Sequence, residues 1–232
     1  MGMAQQLNTP SAVVCTSGSA LLNFYPAVAE AFYSNIPLVV ISADRMPHRI
    51  DIGDGQTIQQ KGVFEPHLVD FAYLSPDVTH AADTLPENPI QTLIPTKATL
   101  KQIENKQQEI QKENEKQING VLNHAIQKSG PVHLNVPMEE PLYGMTTSPI
   151  EITQNTAPDL SHPKVDFKTF KKQWHEAKKK LVLVGVNDPD RIDKQWLDLI
   201  DADPSVILLT ETTSNLRLPN AINSIDSLIA PL

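Results

Sequence analysis

Three polar residues that could bind a charged ligand lie within twelve positions of one another: Arg45, Asp54 and Gln56. Asp54 stands in a Gly-Asp-Gly triplet, where a carboxylate between two small residues could hold a metal ion under a diphosphate. Arg45 carries a planar guanidinium that can hold a carboxylate through two parallel hydrogen bonds, which suits a small carboxylated substrate. A structural role as partner of Asp44, Asp51 or a helix end is the alternative for Arg45. Residue type and spacing alone leave the anion site and the metal site open.

The elements that would position these residues are short runs rich in β-branched side chains. They predict strands in AVVCTS from Ala12, LVVISA from Leu38, VHLNVP from Val132, LVLVGV from Leu181 and VILLTE from Val206. Each run is apolar at both alternating positions, which predicts strands buried on both faces of a parallel sheet and an α/β class. Ligands bind at the carboxyl ends of such strands, so the second strand would deliver Arg45 into the loop that holds Gln56.

The first predicted strand runs into the small-residue turn TSGSA, which holds Ser17 and Ser19. A hydroxyl at a helix start can cap free backbone N–H groups, and this is the favoured interpretation. The functional alternative is that the small residues let a flat heterocycle or an anion approach the backbone closely. The helix that follows has apolar residues at helical spacing, namely Leu22, Val28, Ala29 and Phe32.

The chain has a predicted two-domain organisation. Residues 1–143 form the first domain and include a long helix from Lys97 to Lys128, in which apolar residues follow one stripe. Residues 144–166 are polar, contain three prolines and predict a linker. Residues 167–232 predict a partial Rossmann-like domain of alternating helices and strands. No strand is predicted ahead of the first central strand of the first domain, and the second domain is unusually small. We therefore expect a chain truncated at both ends.

Composition excludes several function classes for these 232 residues. The formal net charge of −8, with acidic and basic residues intermingled, argues against a nucleic-acid surface. No apolar run is long enough for stable membrane insertion, and no secretory signal is evident. Nucleotide-binding loops and paired-cysteine or HExxH zinc motifs are missing, and the lone Cys15 lies in a predicted buried strand. A soluble, cytoplasmic protein is expected.

Three ordered blocks closely resemble one known family. They are VCTSGSALLNFYPAVAEAFYSNIPLVVISADR, then GDGQTIQQKGVF, then GPVHLNVPMEEPLY. They resemble the first domain of the menaquinone-pathway 2-succinyl-5-enolpyruvyl-6-hydroxy-3-cyclohexene-1-carboxylate synthases. The likeness is strong from Met1 to Tyr143 and weaker from Lys180.

The resemblance implies thiamine diphosphate with Mg²⁺ (or Mn²⁺) as cofactors. It implies decarboxylation of 2-oxoglutarate and addition of the resulting succinic semialdehyde unit to isochorismate, in a homodimer or homotetramer. The family's order is a pyrimidine-binding domain, a middle domain and a diphosphate-binding domain, of which this chain would hold the first and part of the second. The family's catalytic glutamate lies ahead of Met1, so no catalytic residue is expected within this chain. Both cofactors would need a domain that this chain lacks, and the isolated chain would be inactive.

The resemblance also assigns roles to individual residues. Arg45 and Gln56, at the family's spacing of eleven, would contact substrate, while Ser19 and Asn23 would border the pyrimidine. Asp54 would not bind metal, because the family's metal motif is a Gly-Asp-Gly followed by Asn within the last domain. The Asn found downstream here, Asn88, stands between two prolines. Departures at Met46 and Gly55, where the family has Pro and often Asn, put the local loop path in question.

Two other interpretations compete with this resemblance. An acetohydroxyacid synthase or oxalyl-coenzyme A decarboxylase relative would share the cofactor, but such relatives read Ser-Gly-Pro-Gly where this chain has TSGSA. The second of these interpretations is a non-catalytic α/β binding module.

Overall fold

The structure, a computed structural model, describes residues 1–7, 9–78, 97–138, 165–189 and 191–230. The chain divides into two compact units, Met1–Ser161 and His162–Leu232. Asn88 lies outside the described residues. The predicted linker 144–166 also lies outside them, apart from its last two residues.

The first unit is built on four parallel strands. The strands are β1 (Ser11–Cys15), β2 (Leu38–Arg45), β3 (Asp70–Tyr73) and β4 (Val132–Met138), and their spatial order is β1-β2-β4-β3. The helices are α1 (Gly2–Leu7), α2 (Tyr25–Tyr33) and α3 (Lys97–Gln127), and a 3₁₀ segment at Gly18–Phe24 leads into α2. The α/β class and the parallel sheet predicted from the sequence are confirmed.

Two apolar clusters cover the two faces of this sheet. On one face, residues of α1, α2 and the 3₁₀ segment pack with Phe64 against β2; the buried members include Ala4, Leu21, Val28, Leu38 and Val40. On the other face, α3 packs against β2, β3 and β4; the buried members are Val39, Ala72, Val121, Ala125, Val132 and Leu134. Strands β2 and β4 are therefore buried on both faces, as doubly covered parallel strands must be.

Three details of the first unit differ from the sequence-based predictions. Strand β3 was not predicted, because it is only four residues long and begins with an aspartate. Burial on both faces is wrong for β1, an edge strand whose Val14 is 70% exposed. The predicted apolar stripe starts one residue late, since Leu21 is fully buried and Leu22 is 45% exposed. A 3₁₀ segment turns every three residues, which shifts the buried face relative to an α-helix.

The second unit pairs two parallel strands, β5 (Lys180–Val184) and β6 (Val206–Thr210). Its helices are α4 (Lys168–Glu176), α5 (Lys194–Ala202) and the short α6 (Ile225–Ile229). Asp193 caps α5, because its side chain accepts a hydrogen bond from the backbone N–H of Gln195. The prediction of burial on both faces is also wrong for β5, since Leu181 and Leu183 are exposed in the described part of the chain. None of the described helices is long and apolar enough to cross a membrane.

Candidate functional site

The carboxyl edge of the first sheet brings the predicted substrate residues together. Arg45 is the last residue of β2, and its Nε donates a hydrogen bond of 3.4 Å to the carbonyl oxygen of Gly55. Gly55 directly precedes Gln56, which is exposed and has a left-handed backbone (φ +57°). Arg45 therefore lies beside the loop that carries Gln56.

The turn after β1 meets the same loop at Gly18. Gly18 has φ +81°, and a Cβ added there would lie 2.8 Å from the carbonyl oxygen of Gln56. No side chain fits at that separation, so only glycine allows the two backbones to approach this closely. The turn that carries Ser19 is consequently packed against the backbone of Gln56.

The predicted pyrimidine residues lie on the exposed side of the 3₁₀ segment. Ser19 and Asn23 are both exposed, and the Asn23 amide reaches the carbonyl oxygens of Ser19 and Ala20 only at 3.5 Å. These weak contacts leave the amide available to a ligand.

The capping role favoured for Ser17 is wrong. Ser17 is buried and stands at the start of the 3₁₀ segment, yet its side chain makes no capping hydrogen bond. The backbone N–H of Gly18 instead donates to Oε1 of Gln60 at 2.8 Å, and Gln60 is 42 positions further along the chain. A distant side chain therefore performs the capping.

A buried polar network lies beneath these loops, and Gln60 is at its centre. The Gln60 side-chain amide donates to the side-chain Oδ1 of Asn135 at 2.6 Å and to the backbone oxygen of Ala43 at 3.0 Å. The Ser42 hydroxyl donates to the same Asn135 oxygen at 3.0 Å and lies 2.7 Å from Nε2 of His133. Gln60, Ser42, His133 and Asn135 are each less than 5% exposed. Hydrogen bonds within this network thus replace water for every one of these side chains.

His133 is buried within this network, and burial lowers its pKa. The side-chain oxygen of Asn135 accepts from Gln60 and from Ser42, and Oγ of Ser42 lies beside Nε2 of the His133 ring. Burial lowers the pKa of His133 to about 4, because a charged imidazolium would lose its hydration there. The His133 imidazole is therefore uncharged at neutral pH.

The same network reaches the backbone of Arg45. Asn135 donates through its amide nitrogen to Oδ2 of Asp44 at 2.7 Å, and Oδ1 of Asp44 accepts from the backbone N–H of Arg45 at 2.8 Å. The Asp44 carboxylate thus connects the network to the backbone at the end of β2. This connection holds the backbone of Arg45 in place.

Tyr73, on β3, holds the backbone around Gln60. Its hydroxyl accepts a hydrogen bond from the backbone N–H of Gly62 at 2.5 Å and donates to the carbonyl oxygen of Gln60 at 3.3 Å. Burial raises the pKa of Tyr73, so the phenol stays protonated.

The surroundings of Asp54 do not suit a cation. Its Oδ1 accepts from the backbone N–H of Gly55 at 2.9 Å, and its Oδ2 lies 3.8 Å from a guanidinium nitrogen of Arg49. A positive side chain at that distance repels a metal ion. In the described ranges, no three histidine, cysteine or acidic residues are grouped as metal ligands. That Asp54 binds no metal stays a prediction.

Sequence reasoning missed Gln60, Ser42, His133 and Asn135. The signal was present, because polar residues interrupt two strands that are otherwise apolar and buried. Side chains alternate between the two faces of a strand, so Ser42 and Asp44 lie on the same face as Val40. Ser42 is also paired with Asn135 in the register of β2 and β4. Buried polar residues on adjacent strands require partners, and this requirement could have identified the network.

The comparisons with known proteins agree on one family. Residues 1–74 match the family model described as thiamine pyrophosphate enzyme, N-terminal TPP binding domain. The matched range contains β1, the 3₁₀ segment, β2 and the loop of Gln56 and Gln60.

Three curated relatives carry the same name, 2-succinyl-5-enolpyruvyl-6-hydroxy-3-cyclohexene-1-carboxylate synthase. The chain is 45% identical to that of Christiangramia forsetii, with 100% of this chain and 38% of the relative covered. It is 44% identical to that of Flavobacterium johnsoniae, with 100% of this chain and 37% of the relative covered. It is 31% identical to that of Porphyromonas gingivalis, with 99% and 36% covered. The chain thus spans less than two fifths of the length of these relatives.

Proposed function

We propose that this chain, which belongs to the thiamine-diphosphate-dependent enzyme family, supplies the pyrimidine-binding part of a 2-succinyl-5-enolpyruvyl-6-hydroxy-3-cyclohexene-1-carboxylate synthase. The observation that carries the proposal is 45% identity along the whole chain to a protein of that name. The synthase decarboxylates 2-oxoglutarate and adds the four-carbon unit to isochorismate. The meeting of Arg45 with the Gln56 loop at the carboxyl edge of the sheet supports this role.

The two substrate residues have distinct tasks in this proposal. Arg45 binds a substrate carboxylate with charge-assisted hydrogen bonds, and both substrates carry carboxylates. Gln56, on the exposed left-handed turn, offers an amide that can donate to and accept from a hydroxyl or carboxyl group. Together they orient the substrate and contribute no proton transfer.

The cofactor residues form the other side of the proposed site. Bound thiamine diphosphate supplies carbanion stabilisation. The exposed edge formed by Ser19 and Asn23 fits a flat pyrimidine that lies against backbone. Mg²⁺ or Mn²⁺ would be held with the diphosphate by residues beyond this chain's pyrimidine-binding part, in a homodimer or homotetramer located in the cytoplasm.

The test is turnover by the protein expressed from its complete coding sequence. With thiamine diphosphate and Mg²⁺, we expect consumption of isochorismate and release of carbon dioxide from 2-oxoglutarate. A chimera provides a second arm, in which this chain replaces the matching segment of the Christiangramia forsetii synthase and should retain activity. Turnover of pyruvate or oxalyl-coenzyme A in place of isochorismate would overturn the proposal, as would an inactive complete protein together with an inactive, folded chimera.

A further inference from the structure

We propose that Gln60 is a positioning residue that sets the separation between the cofactor turn at Gly18 and the substrate residues Arg45 and Gln56. This inference rests on the proposed function, because it assigns those two loops to one site. Gln60 itself is 1% exposed and would touch neither substrate nor cofactor.

Gln60 connects three separate segments through one side chain. Its Oε1 accepts from the backbone N–H of Gly18, while its amide nitrogen donates to Ala43 next to the end of β2 and to Asn135 on β4. The nitrogen also lies 3.3 Å from Oγ of Ser42, the longest of these contacts. A carboxamide has two donor hydrogens and one acceptor oxygen, so every polar atom of Gln60 is used.

The Gly18 turn and the Gln56 loop are in close contact, so their separation can change little without a clash or a void. The backbone of Gly18 lies so near Gln56 that a single added carbon atom would be 2.8 Å from its carbonyl oxygen. If the bond from Gly18 to Gln60 is lost, the turn has a buried N–H without a partner and no side chain of its own to replace it. The turn would then move relative to Gln56, and with it Ser19.

The informative substitution is Gln60→Glu, which preserves size and the acceptor for Gly18. When ionised, the introduced carboxylate has no hydrogen to give to Ala43 or Asn135, and it adds a charge to a buried site. Desolvation raises the pKa of such a carboxyl, so lowering the pH returns one donor hydrogen. Function should therefore recover in part as the pH falls, whereas Gln60→Leu should show no recovery. Gln108→Glu, on the exposed surface of α3, is the matched control for the change of charge.

Steady-state kinetics on the protein from the complete coding sequence tests the assignment, with each variant compared with wild type at the same pH. We expect Gln60→Glu to raise the KM for isochorismate about 10- to 100-fold at mildly alkaline pH, because small displacements in a site have effects of that order. KM should fall again towards the wild-type value in mildly acidic buffer, and Gln108→Glu should leave it unchanged. A purely structural role would reduce the folded fraction, which lowers kcat and leaves KM unaltered. That result would overturn the proposal.

A second readout separates this proposal from the proposed function. Hydrogen exchange of Gln60→Leu should show faster exchange in peptides from the Gly18 turn and the Gln56 loop, while α3 keeps its wild-type rate. This measurement needs no turnover, so it holds even if the complete protein acts on another substrate. Unchanged exchange at Gly18 in Gln60→Leu would show that the contact does not hold the turn and would overturn the inference.

Discussion

At the scale of single residues, the Arg45 guanidinium links the strand end to the substrate loop. Its Nε contacts the carbonyl oxygen of Gly55, and its own backbone N–H is held by Asp44. The backbone of Arg45 is thus held at the strand end, and its guanidinium lies beside the loop that carries Gln56.

We expect Arg45→Ala to weaken substrate binding by about 2 to 5 kcal/mol if the ion pair with substrate is desolvated. Arg45→Lys should recover only part of this loss, since an ammonium group cannot form two parallel hydrogen bonds. The KM values for isochorismate and 2-oxoglutarate are the measurement, and Arg49→Ala is the control. Unaltered kinetics for both substrates would remove Arg45 from the site.

His133 gives the pH dependence of stability a defined direction. Its pKa falls from 6.5 in the unfolded chain to about 4 in the folded protein, so the unfolded state binds more protons between these values. The stabilisation is complete above pH 6.5 and is lost as the pH falls towards 4. We expect it to amount to about 3 kcal/mol at neutral pH.

Denaturant unfolding of wild type and His133→Gln across this range tests the effect. The variant removes the titrating group and keeps a polar side chain near Ser42, so the difference in unfolding free energy between the two proteins should shrink as the pH is lowered. A constant difference would show that His133 is not the group responsible.

At the scale of elements, the end of α3 is fitted closely to β3 and β4. His124 on α3 lies 2.5 Å from Oδ2 of Asp70 at the start of β3. The backbone N–H of Gly130 donates to Ala125 at 3.2 Å and closes the helix before β4 begins. A Cβ at Gly130 would lie 2.3 Å from Cγ1 of Val69, so this junction has no space for a side chain.

Gly130→Ala should therefore destabilise the first unit by about 1 to 3 kcal/mol through overpacking. Gly120→Ala is the matched control, because Gly120 is an exposed residue of α3 and a Cβ there would contact nothing within 4 Å. That variant should stabilise the protein by about 0.5 to 1 kcal/mol, since alanine favours helix. Thermal unfolding of both variants is the measurement. Equal changes in stability for Gly130→Ala and Gly120→Ala would show that Val69 moves aside at little cost.

At the scale of the whole molecule, apolar side chains remain at the surface of both described units. Val14 on β1 is exposed, as are Leu181 and Leu183 on β5. Such residues favour association, so we expect dimers or aggregates of the isolated chain.

The isolated 232-residue chain should not bind thiamine diphosphate at micromolar concentrations. In the proposed arrangement most of the affinity comes from the diphosphate and its metal ion, whereas this chain supplies only one side of the pyrimidine site. Mg²⁺ requires near-octahedral oxygen ligands, and Asp54 faces Arg49 instead. Calorimetric titration with thiamine diphosphate and Mg²⁺ is the measurement. A dissociation constant in the micromolar range or below would mean that the cofactor site and the role of Asp54 have been misassigned.

The sequence by itself determined the class of fold and the identity of the candidate ligand residues. Buried parallel strands need apolar side chains on both faces, and this local pattern located β2 and β4 without knowledge of their partners. The order of strand, small-residue turn and Arg45 then predicted which edge of the sheet would hold Gln56.

Tertiary structure alone decided which groups satisfy one another. β3 forms because four residues pair with β4, a contact between segments about 60 positions apart that no local pattern encodes. In the same way, Gly18 is capped by Gln60, and not by the adjacent Ser17 as local rules predict. A capping preference describes the nearest available partner, whereas a buried N–H accepts whichever oxygen the folded chain brings within reach.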